Sequence, residues 1–191
     1  MNLFLGAKHW QLFLLTFGVP VMLNIVMMFN IFSHFGKPYG GENFNGGMIF
    51  PVMMVLFAGT LLGWMYSVAV GMQKMVPATV KMKITKFKVF FFIPVTYMVL
   101  IFFFIGLALK SPGATDLGQA ALLAFAIIVP LHLFSMFCLF YCLYFVAKTI
   151  KTVELQREVT FSDFVQEFFL AWFFPIGVWI LQPRINKMII Q

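Results

Sequence analysis

The sequence predicts an all-α integral membrane protein with four transmembrane helices, both termini cytoplasmic, and a C-terminal interfacial helix or re-entrant hairpin. Three observations carry that prediction. Four apolar runs, 10–32, 48–72, 89–109 and 119–147, fill most of the chain. A spanning helix needs about 20 mostly apolar residues, because the hydrocarbon core is about 30 Å thick and a helix rises about 1.5 Å per residue. The chain is 62% hydrophobic and 10% charged, against the roughly 25% charged residues of a soluble domain. The third observation is the uneven division of Lys and Arg among the loops.

With four spans in 191 residues, the expectation is a single membrane domain over 1–191 with no room for a soluble one. The net charge of +7 comes from residues flanking the spans, which points to anionic lipid headgroups and away from nucleic acid. The first run is longer than the apolar core of a secretory signal and is followed by no small-x-small cleavage site, so it reads as a retained helix. Loop charge sets the orientation. A cytoplasmic N-terminus places 11 basic residues inside and leaves only Lys37 and Lys110 outside. Lys81, Lys83, Lys86 and Lys88 supply four of the inner charges; they read as a lipid-headgroup site or as a topology signal with snorkelling stems.

Each element carries its own signal. The first span holds Pro20 and the fourth Pro130, both near mid-membrane, where a missing backbone donor frees a carbonyl and kinks the helix. In the second span Gly59, Gly63, Ser67 and Gly71 recur every four residues, a strip of small side chains that lets another helix approach closely. The outer loop 33–47 is rich in glycine and reads as a flexible connection. The stretch 148–158 reads as the fourth span continuing into water. Cys138 and Cys142, one helical turn apart, have parallel Cβ vectors and read as free thiols.

The membrane-associated C-terminal element covers 161–182. Thr160 and Asp163 form a T-x-x-D helix start. Ser162, Asp163, Gln166 and Glu167 are expected on one polar face, opposite Phe161, Phe164, Val165, Phe168 and Phe169. Pro175 and Gly177 then interrupt the run, and Trp172 and Trp179 suit the headgroup region. A fifth span there would export Arg184 and Lys187, which favours an interfacial or re-entrant form.

Polar side chains gather near mid-membrane depth. Asn24, Thr60, His132 and Ser135 form a candidate polar site, with Thr16 nearby. They would line a small hydrated pathway, or bond across helices and to the carbonyls freed by proline. The three histidines lie at different depths, which disfavours paired haem ligation, and no cysteine or methionine pair has a metal-binding spacing. No catalytic signature and no paired intramembrane carboxylates occur. The expectation is therefore no enzyme, no cofactor and no metal site.

The opening His9-Trp10-Gln11-Leu12-Phe13-Leu14-Leu15 resembles a phrase of uncharacterised small multi-pass bacterial inner-membrane proteins. The same holds for Phe173-Phe174-Pro175-Ile176-Gly177-Val178-Trp179 with Gln182-Pro183-Arg184-Ile185-Asn186. The resemblance implies a bacterial inner-membrane location and no activity. His9-Trp10-Gln11 and Gln182-Pro183-Arg184 are expected at the same membrane border, touching each other or a partner. The functional expectation is an accessory or assembly subunit of a membrane complex, partnered by another membrane protein or by self-association. The alternatives are a small oligomeric transporter or channel and, more weakly, a membrane metal or redox protein.

Overall fold

The computed structural model describes residues 4–34, 46–108 and 117–190, and among these the regular structure is entirely helical. The α-helices are α1 (His9–Phe13), α2 (Val19–His34), α3 (Gly46–Gly71), α4 (Ile84–Ala108), α5 (Leu117–Leu155), α6 (Phe161–Trp172) and α7 (Phe174–Ile190). Among the described residues, four stretches are long and apolar enough to cross a membrane: His9–Ser33, Pro51–Met75, Ile84–Phe104 and Phe125–Leu155. This is the composition of a membrane protein. Most of the glycine-rich loop 33–47, including Lys37, lies outside the described residues, as does Lys110.

A π-helical turn, Leu14–Gly18, joins α1 to α2. The irregularity sits one turn before Pro20, whose ring would crowd the carbonyl of Thr16 in a regular helix. Widening the turn lets the Val19 N–H reach the Leu14 carbonyl instead, and the Thr16 hydroxyl donates to the Leu12 carbonyl. Pro51, Pro94 and Pro130 lie inside α3, α4 and α5, which continue through them. Helix α5 does run past 147, to Leu155. It stops at Gln156, which takes a left-handed φ of 51°. The Gln156 amide then donates to the carbonyls of Val153 (2.7 Å) and Met75 (3.2 Å), offsetting the strain of that conformation in a non-glycine residue.

The chain divides into two compact units. One takes in the chain up to Val80 and from Val146 onward; the other is Lys81–Phe145. In the second unit Phe87 stacks on Phe145 at 4.9 Å and Phe90 meets Tyr141 at 4.7 Å, while Cys138 and Cys142 are buried as free thiols. In the first unit the buried residues include Trp64, Met65 and Val68 of α3, Met72 just after it, and Val146 and Ile150 of α5. Phe164 and Ala171 of α6 and Phe174, Val178, Leu181 and Ile185 of α7 are buried as well.

Helices α6 and α7 pack on each other as a hairpin. The expected start of α6 is present: the Asp163 carboxylate accepts from the Thr160 backbone N–H at 2.8 Å and from its hydroxyl at 2.9 Å. Phe173 makes the turn, and Pro175 falls in the first turn of α7, where a missing N–H costs nothing. A Cβ at Gly177 would collide with the Leu170 carbonyl, so only glycine lets the two helices come this close. The C-terminal element is longer than 161–182 anticipates, continuing as helix to Ile190.

One sequence expectation fails here. Glu167 is not on an exposed polar face; it is 1% exposed, on the same packed face as Phe164 and Ala171. The reason is long-range: cations from α5 and α7 reach it, and a buried carboxylate is tolerable once paired.

Candidate functional site

The four polar residues expected near mid-membrane depth fall in both units. Asn24 on α2 and Thr60 on α3 belong to the first, His132 and Ser135 on α5 to the second. Thr60 and Ser135 are buried. Asn24 is exposed, amid exposed Val21, Met22, Ile25, Val26, Met28 and Phe29, and it has no hydrogen bond among the described residues. His132 is exposed, and its Nδ1 lies 3.1 Å from the hydroxyl of Tyr97 on α4. Tyr97 is a site residue the sequence reading missed. The signal was present, since a tyrosine within an apolar span carries a hydroxyl that must find a partner.

The small-residue strip on α3 is used unevenly. A Cβ at Gly63 would come within 2.7 Å of the Phe4 ring, and one at Gly71 would strike the Leu5 side chain. Ser67, between them, is buried. Gly59 has nothing within 4 Å of its added Cβ. The segment before α1 therefore lies against part of the strip, and Gly59 stays open.

The densest polar chemistry lies where α7 meets α1 and α3. The Trp64 indole N–H donates to Gln182 Oε1 at 2.8 Å, with both side chains fully buried. The Gln182 amide faces the carbonyls of Phe4 (3.1 Å), Leu5 (3.1 Å) and Ala7 (2.9 Å) and the Asn186 side-chain oxygen (3.0 Å). Asn186 donates to the Ala7 carbonyl at 3.2 Å. Trp179 receives His9 at 4.7 Å and Phe13 at 5.4 Å between ring centroids. The two terminal phrases thus lie side by side, joined through Trp179 and Ala7. The part of Trp64 was not legible in the sequence, because Trp64 and Gln182 are 118 residues apart.

A four-membered ion cluster closes the base of the α6–α7 hairpin. Glu167 Oε1 accepts from Arg184 at 2.7 Å and Lys151 at 3.3 Å; Glu154 Oε2 accepts from Arg184 at 2.7 Å and Lys151 at 2.9 Å. Burial disfavours the Arg184 charge, but its hydrogen bonds to Glu167 and Glu154 outweigh that and raise its pKa above the ordinary value. Outside the cluster, the Thr160 backbone N–H, then the Thr160 hydroxyl and Arg157, hold the Asp163 carboxyl below its usual range.

Lys81, Lys83, Lys86 and Lys88 are exposed around the start of α4. Among the described residues, no three of His, Cys, Asp and Glu gather as a metal site would require. The polar groups that do gather, a tryptophan, amides and paired charges, suit binding and clamping. Comparisons with protein-family models, curated proteins and solved structures found no match to the chain.

Proposed function

We propose that the chain is a non-enzymatic accessory or assembly subunit of a larger complex in a bacterial inner membrane, with both termini cytoplasmic. Asn24 carries the reading. Its amide stands exposed among apolar side chains, and a polar side chain in hydrocarbon is costly unless a neighbouring helix bonds to it. A helix of another membrane protein supplies that partner. The first unit is compatible with the same reading, because its buried polar groups clamp the chain's own helices together. The basic residues around the start of α4 meet anionic headgroups at the inner surface.

The test is purification of the tagged protein from its native membrane in mild detergent, with mass spectrometry of what accompanies it. Stoichiometric partners, lost on Asn24→Leu and retained on Asn24→Gln, are expected. A clean homo-oligomer overturns the subunit reading. A second reading, a small oligomeric transporter or channel, is favoured by the Tyr97–His132 hydrogen bond, since an ionisable group within a span often marks a pathway. It predicts that His132→Ala abolishes flux in reconstituted vesicles.

A further inference from the structure

We propose that the α6–α7 hairpin re-enters one leaflet, with the acyl chains of that leaflet covering its aromatic tip. This stands independently of whether the chain is a subunit. Three gauges within the first unit give the depth of the tip, measured from the end where the Gln156 amide, just past α5, meets Met75.

The first gauge is α3. Trp64 lies seven residues before Gly71, about 10 Å along the helix. Its ring meets Phe174 at 4.9 Å while its indole N–H meets Gln182. The second is the first span, where α7 runs antiparallel to α1: Asn186 and Gln182 bond to Ala7, and Trp179 meets His9 and Phe13. Continuing that progression puts the start of α7 beyond Phe13. The third is the hairpin itself. Its charges stop at Glu167 and Arg184, six residues before and ten residues after the Phe173–Phe174 turn, which places the turn roughly 9–15 Å beyond the ion cluster. All three agree on a tip well inside one half of a hydrocarbon core about 30 Å thick.

The chemistry of the tip fits that depth. Residues 168–183 contain no charge, and the exposed side chains are Phe169, Trp172, Phe173, Ile176, Trp179 and Ile180. Gln182, the one amide in the stretch, is buried and bonded. Irregular backbone is tolerated in lipid only if its donors are satisfied. Here three of the four N–H groups over 173–177 are bonded, Phe173 to Phe169 and both Ile176 and Gly177 to the Phe173 carbonyl, and Pro175 has none to satisfy. The exposed apolar surface belongs to the same unit as the first two apolar spans, and the hairpin's ion pairs sit at its base. Acyl chains, and not a second protein, are the occupant of matching chemistry.

The test uses the full chain with Ile176→Cys or Phe173→Cys, both exposed positions. Each is labelled with a small fluorophore and reconstituted in phosphatidylcholine–phosphatidylglycerol vesicles, with the parent chain as the control for Cys138 and Cys142. Quenching by a nitroxide on the acyl chain should exceed quenching by a headgroup nitroxide by about twofold, as expected for a group deeper than an interfacial helix lies. Ser162→Cys should instead be quenched by aqueous iodide. Stronger headgroup or iodide quenching at 173 and 176 overturns the proposal in favour of a surface helix. Protection from every quencher overturns it in favour of a protein cover.

Discussion

Gln182 illustrates how much one side chain does in this protein. Its oxygen satisfies the indole of Trp64 and its amide faces the carbonyls before α1, all in a fully buried setting. Gln182→Leu leaves the indole N–H without a partner, and a buried unsatisfied group costs about 1–3 kcal/mol. The expected outcome is a lower unfolding temperature in detergent and faster proteolysis of residues 4–8, with Gln182→Glu restoring the acceptor only. Gly177 and Gly59 make an opposed pair. Gly177→Ala drives a Cβ into the Leu170 carbonyl and should destabilise by more than the roughly 1–3 kcal/mol of ordinary overpacking. Gly59→Ala meets open space and should leave the melting temperature of the isolated chain unchanged. The sequence marked Gly59, Gly63 and Gly71 as equivalent. It could not distinguish them, because what touches each one is set by residues 4 and 5, far away along the chain.

At the scale of elements, long apolar runs and local caps were legible and long-range burial was not. The four spans follow from length and hydropathy, and the start of α6 follows from Thr160 and Asp163, because both signals are local. The Asp163 carboxyl, depressed by the Thr160 N–H and its neighbours, contributes stability that is present above its unfolded pKa of about 3.9. That contribution is lost as pH falls through the lower folded value. Amide exchange at the first turn of α6 should therefore be flat from pH 8 to about pH 5, after correction for intrinsic rates, and lose protection only below about pH 4. Asp163→Asn should remove the acid-dependent component. Glu167 escaped the same reading: its helical spacing matched a polar face, and only the arrival of Lys151 and Arg184 turns that position inward.

At the scale of the whole molecule, the ion cluster is the only set of paired charges among the described residues that joins α5, α6 and α7. Glu167→Leu leaves Arg184 and Lys151 partly exposed and still paired with Glu154, so its cost falls below the about 3–5 kcal/mol of stranding a fully buried charge. The hairpin should detach from α5 before the spans unfold, visible as early loss of protection at Phe164 and Ala171 in hydrogen exchange. His132 and Tyr97, in the other unit, should be unaffected. The contact between Gln182 and Leu5 closes a loop of 177 positions. At about 5–20 residues per second of synthesis, Leu5 waits roughly ten to thirty-five seconds on the ribosome's schedule before its amide partner exists. Throughout that interval the grooves beside Gly63 and Gly71 have no Gln182-anchored segment to hold in place. Assembly of this end is therefore a late event in biogenesis, timed by translation, and slowing elongation after residue 155 should prolong the protease-sensitive state of residues 4–8 in proportion.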